Sequence, residues 1–253
     1  DFSWNSSLSF WFNRNEIKHL YGDMVDVLDE DGNVIGQREE DDIQNGWYIG
    51  HAIDEIFDYK ILGIWQLEEE EEANSFGRAP GDIKILDVND DGILNNDDKL
   101  FQGFRRPRYR ISLRNDFTIF KNFDVSFLIN SFLGYYGANN RHYNYVTALE
   151  RINKIKTPYW TAENPSNEWA RLYSVNSNPA ANWWESKSFI RLQNFTVGYN
   201  VPKNKLQRFD IGSLRIFGNI QNFPAISGWQ HGWDVETSNP TPMIYTFGID
   251  LSL

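Results

Sequence analysis

The sequence predicts an all-β fold, an antiparallel transmembrane β-barrel segment with long extracellular loops, and three observations carry that reading. Apolar and polar residues alternate with a period of two over several separate stretches. Those stretches run roughly 10 to 12 residues, the length a tilted strand needs to cross a bilayer and longer than the usual globular strand. Short turns also alternate with long polar connections, as they do in outer-membrane barrels.

In the opening stretch Phe2, Trp4, Ser6, Leu8, Phe10 and Phe12 share one face, with Ser3, Asn5, Ser7, Ser9, Trp11 and Asn13 on the other. Tyr109–Ile119 repeats the pattern. Tyr109, Ile111, Leu113, Phe117 and Ile119 oppose Arg110, Ser112, Arg114, Asp116 and Thr118. Phe120–Asn122 reads as a tight turn into Phe123, Val125, Phe127, Ile129 and Leu133, which gives a long hairpin. Ser188–Asn200 is strand-like, but its apolar phase slips between Ile190/Leu192 and Phe195/Val197/Tyr199, as a bulge or mixed faces would make it. Ser213–Phe223 sets Leu214, Ile216, Gly218 and Ile220 against Arg215, Asn219 and Gln221. In the last strand Met243, Tyr245, Phe247, Ile249, Leu251 and Leu253 oppose Thr246, Gly248, Asp250 and Ser252. Residues 50–66 hold one or two further strands.

Alternation alone is met equally by a soluble β-sandwich. Strand length, the asymmetry between brief turns (120–122, 201–212) and the long 134–187 connection, and aromatics near strand ends (Tyr135, Tyr136, Trp183, Trp184) favour the barrel. Within the long connection 150–156 reads as a short helix and 161–169 as turns. Its Tyr159, Trp160, Trp169 and Tyr173 are candidates for stacking on a sugar ring, although such aromatics more often pack a loop on itself. The five glutamates Glu68–Glu72 read as a solvated loop tip.

Composition narrows the function. With 24 Lys and Arg against 35 Asp and Glu the chain carries a net −11, which opposes nucleic-acid and polybasic membrane-surface roles. Zero cysteine in 253 residues removes disulfides, thiol nucleophiles and thiolate zinc sites. No stretch has the roughly 18 to 20 continuous apolar residues of a membrane helix; the longest, 127–136, is broken by Asn130, Ser131 and Gly134. The start at Asp1–Trp4, without a leader and inside a strand pattern, is what a fragment of a longer protein would show.

No catalytic set is legible. The four histidines (His19, His51, His142, His231) are not paired at ligand spacing, and no nucleophile elbow, phosphate loop or His-Glu-x-x-His is present. One constellation does carry chemistry. Residues 81–98 contain a calcium-type loop within an extracellular loop, with Asp87, Asn89 and Asp91 at positions 1, 3 and 5 and Gly92 at the sharp turn of position 6. The Ile93 carbonyl, Asn95 (directly or through water) and Asp98 complete the oxygen set at positions 7, 9 and 12. Leu94 at position 8 is placed to pin the loop to its surroundings. Asp98 is shorter than the usual glutamate, so affinity is expected to be modest and the metal structural. The competing reading is an Asp/Asn-rich turn that needs no ion.

Several runs together resemble the SusC-type (SusC/RagA family) TonB-dependent transporters of Bacteroidetes: GDIKILDVNDDGI at 81–93, SFIRLQNFTVGYNVP at 188–202, LRIFGNIQN at 214–222 and YTFGIDLSL at 245–253. Order and approximate spacing hold from about residue 45 to the end. The resemblance implies that residues 1–253 are the C-terminal part of an outer-membrane barrel of about 22 strands, supplying seven or eight of them. It further implies TonB-driven import of oligosaccharides or peptides and a SusD-like surface lipoprotein as lid. TonB would be engaged through the N-terminal part, which with its plug and remaining strands is absent here. Other expected partners are the rest of the barrel, the lipid bilayer and lipopolysaccharide. Asp90 departs from the family's glycine at position 4 of the loop, and Leu253 stands where such barrels commonly end in phenylalanine. The alternative function is a soluble, calcium-stabilised carbohydrate-binding β-module.

Overall fold

A computed structural model describes residues 1–139, 158–174, 179–229 and 233–253; the helix expected at 150–156 lies outside them. Fifteen strands occur among the described residues, β1 (Phe2–Phe12), β2 (Met24–Leu28), β3 (Val34–Glu39), β4 (Glu55–Tyr59), β5 (Ile61–Ile64), β6 (Ile83–Ile85), β7 (Lys99–Phe104) and β8 (Tyr109–Ile119) being the first eight. There follow β9 (Phe123–Leu133), β10 (Tyr136–Ala138), β11 (Trp184–Ser186), β12 (Phe189–Asn200), β13 (Ser213–Gln221), β14 (Ile226–Ser227) and β15 (Ile244–Ser252). They belong to two compact units.

The strand unit comprises 1–13, 106–135 and 186–253. It is one antiparallel sheet of seven strands in the order β1-β8-β9-β12-β13-β15, with β14 attached to β12. Side-chain alternation becomes a two-faced surface because the registers agree from strand to strand. One row across the sheet reads Phe2, Ile119, Phe123, Tyr199, Ile216, Ile249, and the next reads Trp4, Phe117, Val125, Val197, Gly218, Phe247. On the opposite face a row reads Asn5, Asp116, Ser126, Thr196, Asn219, Thr246. The phase slip expected in β12 is a bulge. Its pairing with β9 jumps from Leu192 to Asn194, so Gln193 is an extra residue and the apolar side stays apolar on both sides of it.

The strand ends sort the connections. Residues 120–122 and 201–212 leave from one end, while 13–108, 134–188 and 222–243 leave from the other. At the tight end Phe120 and Lys121, two of the three turn residues 120–122, both take positive φ (51° and 62°), the left-handed backbone that brings the paired strands tightly together.

Among the described residues of the strand unit no second layer covers the apolar face. Phe2, Trp4, Leu8, Phe247 and Ile249 are each more than 60% exposed. Contiguous apolar exposure on this scale marks a surface meant for hydrocarbon or a partner. Polar residues intruding on that face are internally satisfied. The Trp4 indole N–H donates to Asn115 Oδ1 at 2.8 Å while its ring stacks on Phe117, and Ser131 Oγ donates to the Phe189 carbonyl at 3.0 Å.

The loop unit comprises 14–105 and 136–185. Its core gathers Tyr59, Ile64, Ile83, Ile85, Trp160, Ala170 and Ala181, drawn from segments a hundred residues apart. Trp160 is therefore core, its Nε1 bound to Gln66 Oε1 at 3.0 Å, and not a sugar platform. Trp184, expected at a membrane boundary, instead donates to Asp58 Oδ2 at 2.8 Å, as does Asn182. Asp82 is likewise buried and held by Arg171 Nε at 2.8 Å. Glu68–Glu72 form a helical turn instead of a loop tip, and Glu69 grips Lys84 at 2.7 Å. Two antiparallel pairings, β4 with β7 and β5 with β6, carry the segment that presents residues 87–98.

Replacing Trp4 by Phe keeps a ring over Phe117 but strands the Asn115 amide oxygen. Stability of the complete protein in detergent should fall by about 1–3 kcal/mol in guanidinium titrations. The double replacement Trp4→Phe with Asn115→Leu should recover most of that loss; equal midpoints for all three proteins would contradict it.

Candidate functional site

Two surfaces hold the chemistry of this chain, the polar face of the sheet and the 87–98 loop. On the polar face every charge that sequence reading assigned there is present. Arg114 reaches Asp116 through both Nε and Nη2 at 2.8 Å. Arg215 grips Asp124 at 2.6 Å and reaches Asp250 at 3.3 Å. Arg110 lies over the rings of Trp11 and Phe132 at 4.8 and 5.0 Å. Between the charges run neutral donors and acceptors, with Ser112 bonded to Asn130 at 2.9 Å and Asn219 to Thr196 at 2.7 Å. Hydrogen-bonding groups line such a face between its charges.

At the long-connection end this face is covered. Arg191, opposite Asn130 in the register, has a side chain only 2% exposed and meets Asp234 at 2.6 Å. Burial works to raise the Asp234 carboxyl, but the Thr237 N–H, Arg191 and the Glu236 N–H hold it below the usual carboxylate range. Tyr135, just beyond β9, is buried beside the same group, and burial with Glu236 and Asp234 nearby pushes its hydroxyl up to about 12. Sequence reading missed Arg191 and Asp234, because nothing in either local pattern links residues 43 positions apart.

The 87–98 loop sits between β6 and β7, with no long helix on either side. Gly92 has φ +77°, as position 6 requires, and Asp90 has φ +57°, a region aspartate tolerates better than most residues. That tolerance explains how Asp90 stands at a glycine position. The predicted ligands bind the loop's own backbone. Asp87 Oδ2 accepts the Gly92 N–H at 2.8 Å, Asn89 Oδ1 the Asp91 N–H at 3.2 Å, and Asp91 Oδ1 the Ile93 N–H at 2.7 Å. Asn95 Oδ1 accepts the Asp97 N–H at 2.7 Å. Asp98 is fully buried and accepts from Val88 and Asn95 at 2.8 Å each, which closes the loop on itself. Ile93 is exposed, whereas Leu94 packs against the core of the unit as its position demanded. Among the described residues no three His, Cys, Asp or Glu converge on a single metal-sized point. One atom is left over: Asp87 Oδ1 is buried with no hydrogen-bond partner. A carboxylate oxygen removed from water without a donor is costly, and a hard cation at position 1 is the partner its chemistry fits.

The two units divide the charge sharply. Residues of the strand unit contribute 11 Lys and Arg against 7 Asp and Glu, whereas those of the loop unit contribute 13 against 28. The whole acidic excess belongs to the loop unit.

The Tyr135 shift has a pH consequence. A phenol whose folded value lies near 12 and whose unfolded value lies near 10 favours the folded state fully below pH 10, and that contribution is lost as pH rises through 12. Denaturation midpoints measured from pH 9 to 12 should decline through this window, and Tyr135→Phe should flatten the decline.

No family model matches the chain. TonB-dependent receptor P26 of Formosa agariphila is 30% identical over 216 residues, which cover 81% of this chain and 21% of that protein. TonB-dependent receptor SusC of Bacteroides thetaiotaomicron is 26% identical over 267 residues, covering 100% of this chain and 24% of the relative. The fold matches a solved structure of the RagAB peptide transporter with a TM-score of 0.70 and 18% identity, over 99% of this chain and 27% of that one. The chain thus spans about a fifth to a quarter of its relatives' length. Its strand order, its two-faced sheet and these relatives agree: the chain is a homologue of one part of the TonB-dependent receptors, SusC among them.

Proposed function

We propose that this chain forms part of the wall and the external connections of an outer-membrane importer that takes up oligosaccharides or peptides with energy from TonB. One observation carries the proposal: an exposed apolar face and a hydrogen-bonding polar face lie back to back over strands of 9 to 12 residues. Lipid accepts such strands only when every backbone group is paired, so β1 and β15, at the edges of the sheet, require further strands of the same barrel. The apolar side then faces the bilayer and, in the outer leaflet, lipopolysaccharide. The polar side, with Arg110, Arg114, Asp116, Arg215 and Asn219, faces the lumen. The long connections face outward, where a SusD-like lipoprotein closes over them. The fold shared with the peptide transporter RagAB is consistent with a peptide substrate, while the oligosaccharide class and the lid rest on the sequence resemblance to SusC-type transporters.

The complete protein carrying this chain should be extracted only by detergent and should migrate faster on gels before boiling than after. A monomer that stays soluble in plain buffer would instead favour the carbohydrate-binding β-module. Deleting the gene should abolish growth on one oligosaccharide or peptide source while leaving envelope integrity intact.

Calcium at the 87–98 loop belongs to the same proposal. Asp87, Asn89, Asp91, the Ile93 carbonyl, Asn95 and Asp98 would hold it, and the ion would neutralise clustered carboxylates and stiffen the loop against Leu94's packing. Calorimetric titration should show one site in the range of about 0.1–1 mM that other extracellular modules occupy. Asp87→Ala should remove it, and flat heats for both proteins would end the assignment.

A further inference from the structure

We infer that the described parts of the β13–β15 connection, 222–229 and 233–243, form an inward strap, clasped to the sheet by Arg191, that sets the bore at the long-connection end of the polar face. The inference rests on reading that face as a lumen. Arg191 shares the face with Ser112 and Asn130. An arginine beside a watery passage would ordinarily keep its head group hydrated. Here it is almost wholly covered, with Asp234 at 2.6 Å and Glu236 at 3.9 Å supplied by the connection itself.

The described parts of the connection are stitched down on both sides of that clasp. On the leading side the Asn222 N–H donates to the Gln193 carbonyl at 3.0 Å, and Gln193 Nε2 donates to Asn222 Oδ1 at 2.8 Å. The bulge therefore has a use, because its extra residue is the one that holds the strap. Strand β14 pairs with β12 through Ser227 and Ile226, and Ser227 Oγ donates to the Ser188 carbonyl at 2.8 Å. Lys187 Nζ lies 4.9 Å over the Trp229 ring and 3.3 Å from Ser238 Oγ. Val235, next to the clasp, is buried. Residues 222–229 and 233–243, tied at these points, cannot swing freely outward, so their inner surface becomes a wall of the passage. Removing one partner of a buried ion pair leaves the other charge uncompensated, so the clasp is the tie whose loss should free the strap.

The chain has no cysteine, so single thiols can be placed without background from it. In the complete protein in detergent, Val235→Cys should react slowly with a water-soluble maleimide, and Arg191→Gln should raise that rate about tenfold. Ser112→Cys, on the face below, should react with a small methanethiosulfonate far faster than with a 5-kDa polymer maleimide in the otherwise unaltered protein. Arg191→Gln should narrow that difference at least fivefold. Asp234→Asn, which leaves every strand unchanged, should do the same, and the swap Arg191→Glu with Asp234→Arg should restore both protections. A Val235 thiol that stays protected in both single variants overturns the clasp. A Val235 thiol that opens while the size discrimination at Ser112 is unchanged overturns the strap's control of the bore. Each variant's heat-dependent gel migration shows whether it has folded, and the unsubstituted protein lacking that behaviour would fail the barrel reading itself, separately from the strap.

Discussion

Register agreement across the sheet is the constraint on which the remaining structure depends. Each strand alternates by itself, but a one-residue slip at any of the long pairings would turn every apolar side chain of one strand toward water. Antiparallel hydrogen bonding fixes the pairings, and the tight turn at 120–122 fixes the first of them. Where alternation fails, in β12, the bulge at Gln193 repairs the phase. The sheet thereby keeps one face for an apolar medium and the other for water along its whole width.

Once the faces are set, polar groups on each have to be satisfied locally. The exceptions on the apolar face, Asn115 and Ser131, take a donor from Trp4 and an acceptor from Phe189. On the polar face Arg114 pairs with Asp116 and Arg215 with Asp124 and Asp250, while Arg110 lies over the Trp11 and Phe132 rings.

The described parts of the long connections are not slack chain. In the loop unit, buried carboxylates act as hubs: Asp58 collects Asn182 and Trp184, Asp82 holds Arg171, and Asp98 closes the 87–98 loop. In the strand unit Arg191 plays the same part with the sign reversed. Buried ionic groups of this sort contribute little net stability against apolar replacements, but they admit few alternative partners and so select one arrangement of a long connection. In this strongly acidic unit, Asp82 meets an arginine while Asp58 and Asp98 are held by neutral hydrogen-bond donors.

The sequence by itself determined the strands. Period two over Phe2–Phe12, Tyr109–Ile119, Phe123–Leu133 and the last nine-residue strand is a local property, readable because a half-exposed strand repeats every second residue whatever lies beside it. The phase slip in β12 and the turn geometry of the 87–98 loop were legible for the same reason. Only the tertiary structure decided which residue bulges, that Trp160 and Trp184 serve a loop core instead of a sugar or a membrane boundary, and that Arg191 meets Asp234. Those outcomes depend on segments tens to a hundred residues apart, and contact at that separation leaves no period in a single chain.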